Sequence, residues 1–510
     1  MSPIHGGPGG RRAARGIAAS ALGAVFLGAA IGPAHAAVDA SLGYDSVADK
    51  GSLYNIAEVV GAHDAYQRGL TGKGVGVALI DTGVAPVAGL TSGNVVDGPD
   101  LSFDSQNPAL AHVDGFGHGT HLASIIAGRD AAGTASSYLD PAHFAGIAPD
   151  ATLVNVKVGA ANGAVDITQV IAGIDWVVEH SRDNGLNIRV INLAYGTDST
   201  QNSSVDPLAY AVENAWKHGI VVVAAGGNDG DVTKTLANPS RDPHVIAVGA
   251  MDDAGTVAAS DDTVPTWSTR GTDARHVDVV APGVSVLGLR VPGGTADQEN
   301  PQARIGDRFA HASGTSQASA VVAGEAALLL QDAPVLTPDQ VKQLLMKSAS
   351  GISSTVPIFG GSGLTNLRAV LPNPIGYLLH IVGGLLNALL GAPGWSSGTG
   401  SLEAARGDSH VVDGTVVLQG EKDVFGQAWN GYGWARQTSS GQAWSAGSWR
   451  GEGLTGSAWQ DNAWPTTTWA GGDWAGMSWS SDAWDAKTWM AKMWMDNSWS
   501  AKMWMDENWT

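Results

Sequence analysis

Residues 314–330 read Gly-Thr-Ser-Gln-Ala-Ser-Ala-Val-Val-Ala-Gly-Glu-Ala-Ala-Leu-Leu-Leu, a polar turn that opens into a long run of small and apolar residues. The run is too apolar for a surface helix, so it predicts a buried helix with Ser316 at its N-terminus. Unpaired backbone N–H groups and the helix dipole favour negative charge there, which suits a nucleophile whose reaction develops an oxyanion. Gly-Thr-Ser is also ordinary helix-capping sequence, so catalysis at Ser316 depends on partner residues elsewhere.

Further apolar stretches alternate between strand-like runs and helix-like repeats. In the helix predicted over residues 166–180, apolar residues recur every three or four positions, as on one buried face. Two more helices are predicted, one at 206–217 and one capped by Thr337. The predicted strands are residues 75–80, 152–158, 188–193, 220–224, 245–250 and 277–280. This alternation predicts an α/β fold, a mostly parallel sheet with helices on both faces.

Two polar residues stand among glycines at the ends of predicted elements. Asp81 opens an Asp-Thr-Gly turn directly after the first strand, at the edge where open α/β sheets place their sites. His118 lies in Gly-Phe-Gly-His-Gly-Thr-His (residues 115–121), at the start of an apolar helix. Close backbone approach requires glycine, and imidazole is the natural base near neutral pH. A plain turn at Asp81 and a buried structural histidine at His118 are the alternatives.

The order Asp81, His118, Ser316 is one of the known orders of a catalytic triad. The Asp-Thr-Gly turn, the His-Gly-Thr-His motif and the Gly-Thr-Ser-Gln-Ala turn resemble the three signatures of the subtilisin-type serine peptidases. The resemblance covers residues 55–371 and implies a subtilisin-like fold. It also implies that Ser316 attacks the scissile carbonyl, that His118 transfers the proton, and that Asp81 orients and stabilises the imidazole.

The same resemblance implies where the substrate binds. Asn228, in Ala-Ala-Gly-Gly-Asn-Asp-Gly, matches the family's oxyanion-hole asparagine; its alternative reading is a turn residue after a strand. Small residues in the groove walls predict a broad preference with an apolar or aromatic residue before the cut, which Tyr195 would narrow. The chemistry requires no cofactor. The substrate-binding residues implied by the resemblance are Ala194, Tyr195, Gly196, Ala225, Gly226 and Gly227.

The sequence departs from the family pattern at several places. Gln317 stands where many members have an oxidisable methionine, which predicts resistance to peroxide. Ala320 stands where proline is common, a change we expect to be tolerated. Residues 129–144 lack the asparagine-rich calcium loop of the bacterial members, so structural calcium is left open without being indicated, and no metal ligands are predicted. Residues 37–54 are too few for the inhibitory chaperone pro-domain of many relatives.

Residues 1–36 combine three arginines, an apolar run and a final Ala-His-Ala, which is the pattern of a secretory signal peptide. The run is short and glycine-rich, which disfavours a transmembrane anchor. Cleavage removes three arginines and no acidic residue, so the net charge falls from −20 to −23. An acidic chain without cysteine has neither disulfides nor thiolate metal sites and does not bind nucleic acid non-specifically. We expect a secreted protein, extracellular or associated with the cell surface.

The composition changes after Pro372. Within residues 372–424, an apolar stretch at 375–390 is too short to span a bilayer and predicts a packing or interfacial helix, and residues 394–400 predict a flexible linker. In the region 425–510, Trp recurs every five residues at fifteen of seventeen positions. That period fits no single helix or flat strand, so it predicts a separate repeat region, either a solenoid or stacked short strands. Exposed Trp rings would attach to polysaccharide or cell wall, whereas buried rings would form core.

These observations predict a secreted serine endopeptidase of broad specificity that acts on proteins or peptides. Two alternatives remain. One is a surface-binding or structural protein with a vestigial peptidase scaffold, which the complete set of motifs disfavours. The other is a processing protease dedicated to one partner.

Overall fold

The computed structural model describes residues 42–106, 108–230, 235–258, 260–349, 361–376, 394–413, 416–452 and 494–496. The predicted signal peptide, most of the apolar stretch at 375–390 and most of the Trp repeats beyond residue 452 lie outside these residues. Those three assignments therefore stay predictions. Within the part of the chain that is described, no helix combines the length and the hydropathy needed to cross a bilayer.

A central sheet of parallel strands forms the core. Its members are β1 (Gly76–Asp81), β2 (Val95–Asp100), β3 (Thr152–Lys157), β4 (Ile188–Leu193), β5 (Val221–Ala225), β6 (Ile246–Met251) and β7 (Val279–Pro282). Their spatial order is β2-β3-β1-β4-β5-β6-β7, with every pairing parallel. The interior strands β1, β5 and β6 are buried along their whole length, and β3 and β4 are buried except at Thr152 and Arg189, as their apolar runs predicted. The sequence did not reveal β2, because it is a partly exposed edge strand that contains Gly98 and Pro99.

Helices cover both faces of this sheet. They are α1 (Leu53–Val59), α2 (Ala62–Gln67), α3 (His118–Ala127), α4 (Ile167–His180), α5 (Pro207–Lys217), α6 (Thr295–Glu299), α7 (Thr315–Asp332) and α8 (Pro338–Ser348). From β1 the chain passes through the edge strand β2 and then α3 to β3, and from β3 through α4 to β4 on the other side of β1. α7 packs beside α3, and α5 packs beside α4, which confirms the predicted α/β layers.

A small antiparallel sheet precedes α7. It contains β8 (Val286–Leu289), β9 (Arg304–Ile305) and β10 (Phe309–Ser313), with β10 paired to both of the others. β10 ends one residue before Gly314, so this sheet fixes the point at which α7 begins. The sequence did not predict these strands, because they are short and lack a clear apolar run. β10, for example, reads Phe-Ala-His-Ala-Ser, in which only Phe309 is a large apolar residue.

The C-terminal elements pack on the α/β core. They are α9 (Leu402–Arg406), β11 (Val412–Asp413), β12 (Val416–Val417), α10 (Gly431–Ser439), β13 (Trp444–Ser445), β14 (Ser448–Trp449) and β15 (Trp494–Asp496). β11 pairs with β12, β13 pairs with β14, and β15 pairs antiparallel with β10. Ser396, within the predicted flexible linker at 394–400, donates its N–H to Glu213 on α5, and Trp434, within the predicted repeat region 425–510, donates to Asp175 on α4. The described parts of both segments thus contact the core, and the division of the chain into separate domains stays a prediction.

Specific buried contacts hold this segment in place. Trp434 and Trp449 are fully buried, and each indole Nε1–H donates to Asp175 Oδ2 on α4 at 2.9 Å. Arg406 Nε lies 2.7 Å from Asp166 Oδ2, with both side chains 0 % exposed. The five-residue spacing therefore serves core packing at Trp434, Trp444 and Trp449, whose buried indoles donate hydrogen bonds to α4.

Candidate active site

Asp81 and His118 meet at the carboxyl edge of the parallel sheet. Asp81 is the last residue of β1, and His118 is the first residue of α3. His118 Nδ1 lies 2.8 Å from Asp81 Oδ1, and both side chains are buried. An ionised carboxylate only accepts hydrogen bonds, so Nδ1 carries the proton in this pair.

Glycines allow α3 to approach β1 this closely. A Cβ at position 119 would lie 2.2 Å from the carbonyl oxygen of Gly83 and 3.1 Å from Asp81 Oδ1. Gly117, which precedes the helix, has φ +114°, a left-handed conformation that other residues rarely adopt. The glycines around His118 are therefore required by the geometry of the carboxylate–imidazole pair.

Asp114, which none of the sequence motifs includes, fixes the local structure around Asp81 and His118. Its Oδ1 accepts from the backbone N–H of Gly117 at 2.7 Å and from Thr82 Oγ1 at 2.9 Å, and its Oδ2 accepts from Thr120 N at 2.8 Å. Thr82 Oγ1 in turn accepts from the N–H of Gly119 at 2.9 Å. This carboxylate therefore joins the start of α3 to the residue after Asp81. An acidic residue just before a helix without Ser or Thr at its cap was the available signal.

Ser316 is the second residue of α7 and is fully buried. The preceding turn is fixed by the N–H of Gly314, which donates to Gly283 O at 2.8 Å. Because α7 packs beside α3, the helix that begins at His118 and the helix that carries Ser316 are neighbours. Ser319, one turn further on, donates its Oγ–H to the carbonyl of Ser316 at 2.8 Å.

Asn228 is anchored directly to the start of α7. It follows β5, and its Oδ1 accepts from both the N–H and the Oγ1–H of Thr315 at 2.9 Å. A backbone N–H can only donate, so these bonds settle the amide orientation. The Nδ2 group of Asn228 is consequently the donor of this side chain. Thr315, which Asn228 contacts, directly precedes Ser316.

The two predicted groove segments, 194–196 and 225–227, are joined by residues that the sequence did not indicate. Thr197 exchanges two backbone hydrogen bonds with Asn238, at 3.0 and 2.8 Å. The carbonyl oxygen of Gly226 accepts a hydrogen bond from the N–H of Ala237 at 2.9 Å. Residues 237–238 therefore connect the two walls.

Tyr195, in the predicted groove segment 194–196, is buried, with only 1 % of its surface exposed. Burial raises the pKa of its phenol well above the usual value, with a further increase from Asp166 and a decrease from Arg406. The phenol thus lies near the ion pair between Asp166 and Arg406, and Arg406 belongs to the segment that follows the α/β core. That Tyr195 narrows the specificity pocket stays a prediction.

His121, the second histidine of the motif, has a structural role. Burial lowers its pKa to about 3, so the ring is neutral. Its Nε2 lies 3.3 Å from Ala310 O on β10, and a Cβ at position 288 would come within 2.7 Å of that nitrogen. The ring therefore packs α3 against the small antiparallel sheet.

A buried carboxylate–imidazole pair, together with a serine at the start of a neighbouring helix, defines the class of serine hydrolases. Residues 72–378 match the Subtilase family, Peptidase_S8, and the chain belongs to that family. It is 37% identical over 309 residues to serine protease AprX of Bacillus subtilis (strain 168), covering 59% of this chain and 67% of that one. It is 33% identical over 314 residues to subtilisin DY of Bacillus licheniformis, covering 61% and 96%.

A solved structure, that of a cold adapted subtilisin-like serine proteinase, matches at 30% identity with a TM-score of 0.42, covering 58% of this chain and 88% of the other. The family membership makes this chain a subtilisin-like serine endopeptidase. Its substrates are therefore proteins or peptides.

Proposed function

We propose that this chain is a secreted endopeptidase whose triad is Asp81, His118 and Ser316. The observation that carries the proposal is the 2.8 Å contact between Asp81 Oδ1 and His118 Nδ1 inside a fully buried pair. His118 Nε2 takes the proton of Ser316 as its Oγ attacks the scissile carbonyl, and later gives it to the leaving amine. Asp81 keeps the imidazole in the required tautomer and stabilises the imidazolium.

The oxyanion of the tetrahedral intermediate is stabilised by two donors in this proposal, Asn228 Nδ2 and the backbone N–H of Ser316. The hydrogen bonds from Thr315 to Asn228 Oδ1 support this role, because they hold the amide with its donor face turned from Thr315. In subtilisin, a member of the same family, loss of this donor costs about 10²–10³ in kcat.

The specificity we propose is broad, with an apolar or aromatic residue before the cleaved bond. Ala225, Gly226 and Gly227 give one wall of the pocket no large side chain, which supports this preference. Cleavage of a mixed peptide library at many sites is the expected result. Cleavage of a single sequence would instead support the processing protease.

Labelling with a fluorophosphonate tests the triad. Wild type should react covalently, and Ser316→Ala should not react at all. Ser319→Ala is the matched control, since Ser319 is a buried serine one turn along the same helix and should leave labelling intact. Absence of labelling in correctly folded wild type would favour the vestigial scaffold, and labelling of Ser316→Ala would place the nucleophile elsewhere.

Secretion and attachment belong to this proposal as separate parts. The predicted signal peptide supports an extracellular location, and N-terminal sequencing of the exported protein should find a start after Ala36. Attachment to cell wall through the Trp repeats concerns residues beyond 452, since Trp434, Trp444 and Trp449 are buried in the core. Retention of the full chain on isolated cell walls, lost when residues 453–510 are deleted, is the expected result.

A further inference from the structure

Three side chains that the sequence separates come together at the C-terminal end of α5. Glu213 lies on α5, and Asp242 and His244 lie on the loop that precedes β6. One ligand atom from each side chain lies within 4.8 Å of the other two. Glu213 is 0 % exposed, Asp242 is 1 % exposed and His244 is 8 % exposed. The cluster is thus buried and unrelated to the triad residues.

The distances in this cluster are too long for good hydrogen bonds but suit a shared cation. His244 Nδ1 lies 3.4 Å from Asp242 Oδ1 and 3.7 Å from Glu213 Oε1. Among the described residues, this nitrogen has no hydrogen-bond partner although it is shielded from solvent. A tetrahedral ion with bonds of about 2.1 Å separates its ligand atoms by about 3.4 Å. The two distances from the imidazole nitrogen to the carboxylate oxygens are therefore close to the spacing of ligands on one ion.

The remaining contacts orient the three side chains and leave coordination capacity. The N–H of Ser396 donates to Glu213 Oε1 at 2.8 Å and to Oε2 at 2.7 Å, and Lys217 Nζ lies 3.6 Å from Oε2. The backbone N–H of His244 donates to Asp242 Oδ1 at 2.7 Å. Each carboxylate oxygen has a second lone pair, so a hydrogen bond at one of them does not prevent metal coordination.

An aromatic ring also covers one side of the cluster. Trp395 stacks on the His244 ring with centroids 3.8 Å apart, which shields the cluster on that side.

We propose that Glu213, Asp242 and His244 bind one divalent transition-metal ion of the Zn²⁺ class, with a water as the fourth ligand. One histidine and two carboxylates form a nitrogen–oxygen ligand set that zinc accepts. The ion would tie α5 to the loop that continues from residues 237–238 of the substrate groove, so its role is structural. The sequence analysis predicted no metal ligands, because Glu213 stands 29 positions before Asp242.

Titration with Co²⁺ tests this site, in the full chain carrying Ser316→Ala so that self-digestion cannot interfere. One equivalent should bind, with the intense visible bands of four-coordinate cobalt. Glu213→Gln and His244→Gln should each weaken binding at least tenfold. His143→Gln is the control, because His143 forms an exposed pair with Asp140 at 3.3 Å and should leave the stoichiometry at one.

Failure to bind one equivalent in the folded parent would overturn the proposal, as would full affinity in both cluster variants. If the variants do not fold, X-ray absorption of the parent with one equivalent of Zn²⁺ decides the matter. One imidazole among the ligands supports the site, and two or more exclude it. Because the test measures metal binding in an inactive background, it is independent of the proposed peptidase mechanism.

Discussion

Glu325 lies in the middle of α7, the helix that carries Ser316, and its side chain is fully buried. Neither carboxyl oxygen has a hydrogen-bond partner among the described residues. Burial raises the pKa of this carboxyl from 4.5 to about 8, and the nearby Thr365 hydroxyl opposes the increase only in part. The folded protein therefore holds a proton on Glu325 at neutral pH, whereas the unfolded chain releases it.

The sign of the effect on stability follows from this difference. Between pH 4.5 and pH 8 the folded state binds one more proton than the unfolded state, so Glu325 lowers the free energy of unfolding as the pH rises, and the loss levels off above pH 8. At about 1.4 kcal/mol for each pH unit, the loss is roughly 3 kcal/mol at pH 7 and approaches about 5 kcal/mol at pH 9. Gln has nearly the same shape and no charge, so Glu325→Gln should remove this loss.

Urea unfolding of the inactive Ser316→Ala protein, with and without Glu325→Gln, measures the effect at pH 5, 7 and 9. The free energies of unfolding of the two proteins should differ by no more than about 1 kcal/mol at pH 5. As the pH rises, the Gln variant should become progressively more stable than the parent. Glu299→Gln, at an exposed position, is the control and should run parallel to the parent. A gap that stays constant with pH, or a Gln variant that is less stable at pH 9, would show that Glu325 is ionised and paired.

Four further predictions concern single side chains. Gly119→Ala should lower kcat/KM more than tenfold without unfolding the protein, because its Cβ would press on Gly83 O at 2.2 Å; peptide hydrolysis and circular dichroism check the two parts. Asp114→Asn replaces the acceptor of Thr120 N–H by an amide donor, so we expect a fall in kcat at unchanged KM and a stability loss of about 1–3 kcal/mol by urea titration. Trp449→Phe removes the indole donor to Asp175 and should cost about 1–3 kcal/mol, whereas Tyr432→Phe, at an exposed ring, should cost nothing measurable. Gln317→Met should shorten the half-life of activity in dilute peroxide, and equal half-lives for wild type and variant would contradict the expected resistance.

The sequence predicted the α/β core well, because its strands are buried on both faces and read as continuous apolar runs. The six predicted strands correspond to β1 and β3–β7, with ends that differ by no more than about two residues. The edge strand β2 and the small antiparallel sheet were missed. Their residues are partly exposed or small, so neither apolar periodicity nor length distinguishes them from loops.

Asp81, His118 and Ser316 could be singled out from the sequence, because each stands at the end of an element among glycines and in an order that the fold class allows. The contribution of Asp114 could not be predicted. It depends on Thr82 and Thr120 arriving at one carboxylate from two different elements, and no short motif records such a meeting.

The burial of the C-terminal Trp rings could not be predicted from the sequence either. The five-residue spacing of Trp was visible in the sequence, but whether the rings are exposed or buried depends on what they face. Asp175 on α4 provides the acceptor that lets Trp434 and Trp449 be buried, and it lies more than 250 positions earlier.

The sequence by itself determined the buried strands and the main helices of the α/β core and which polar residues stand at their ends, because periodicity and glycine placement are local properties. Tertiary structure alone decided how Asn228 is oriented by Thr315, and why Glu213, Asp242 and His244 share one buried site. Those arrangements depend on contacts between distant segments, and burial then sets the charge and hydrogen bonding of the groups that meet there.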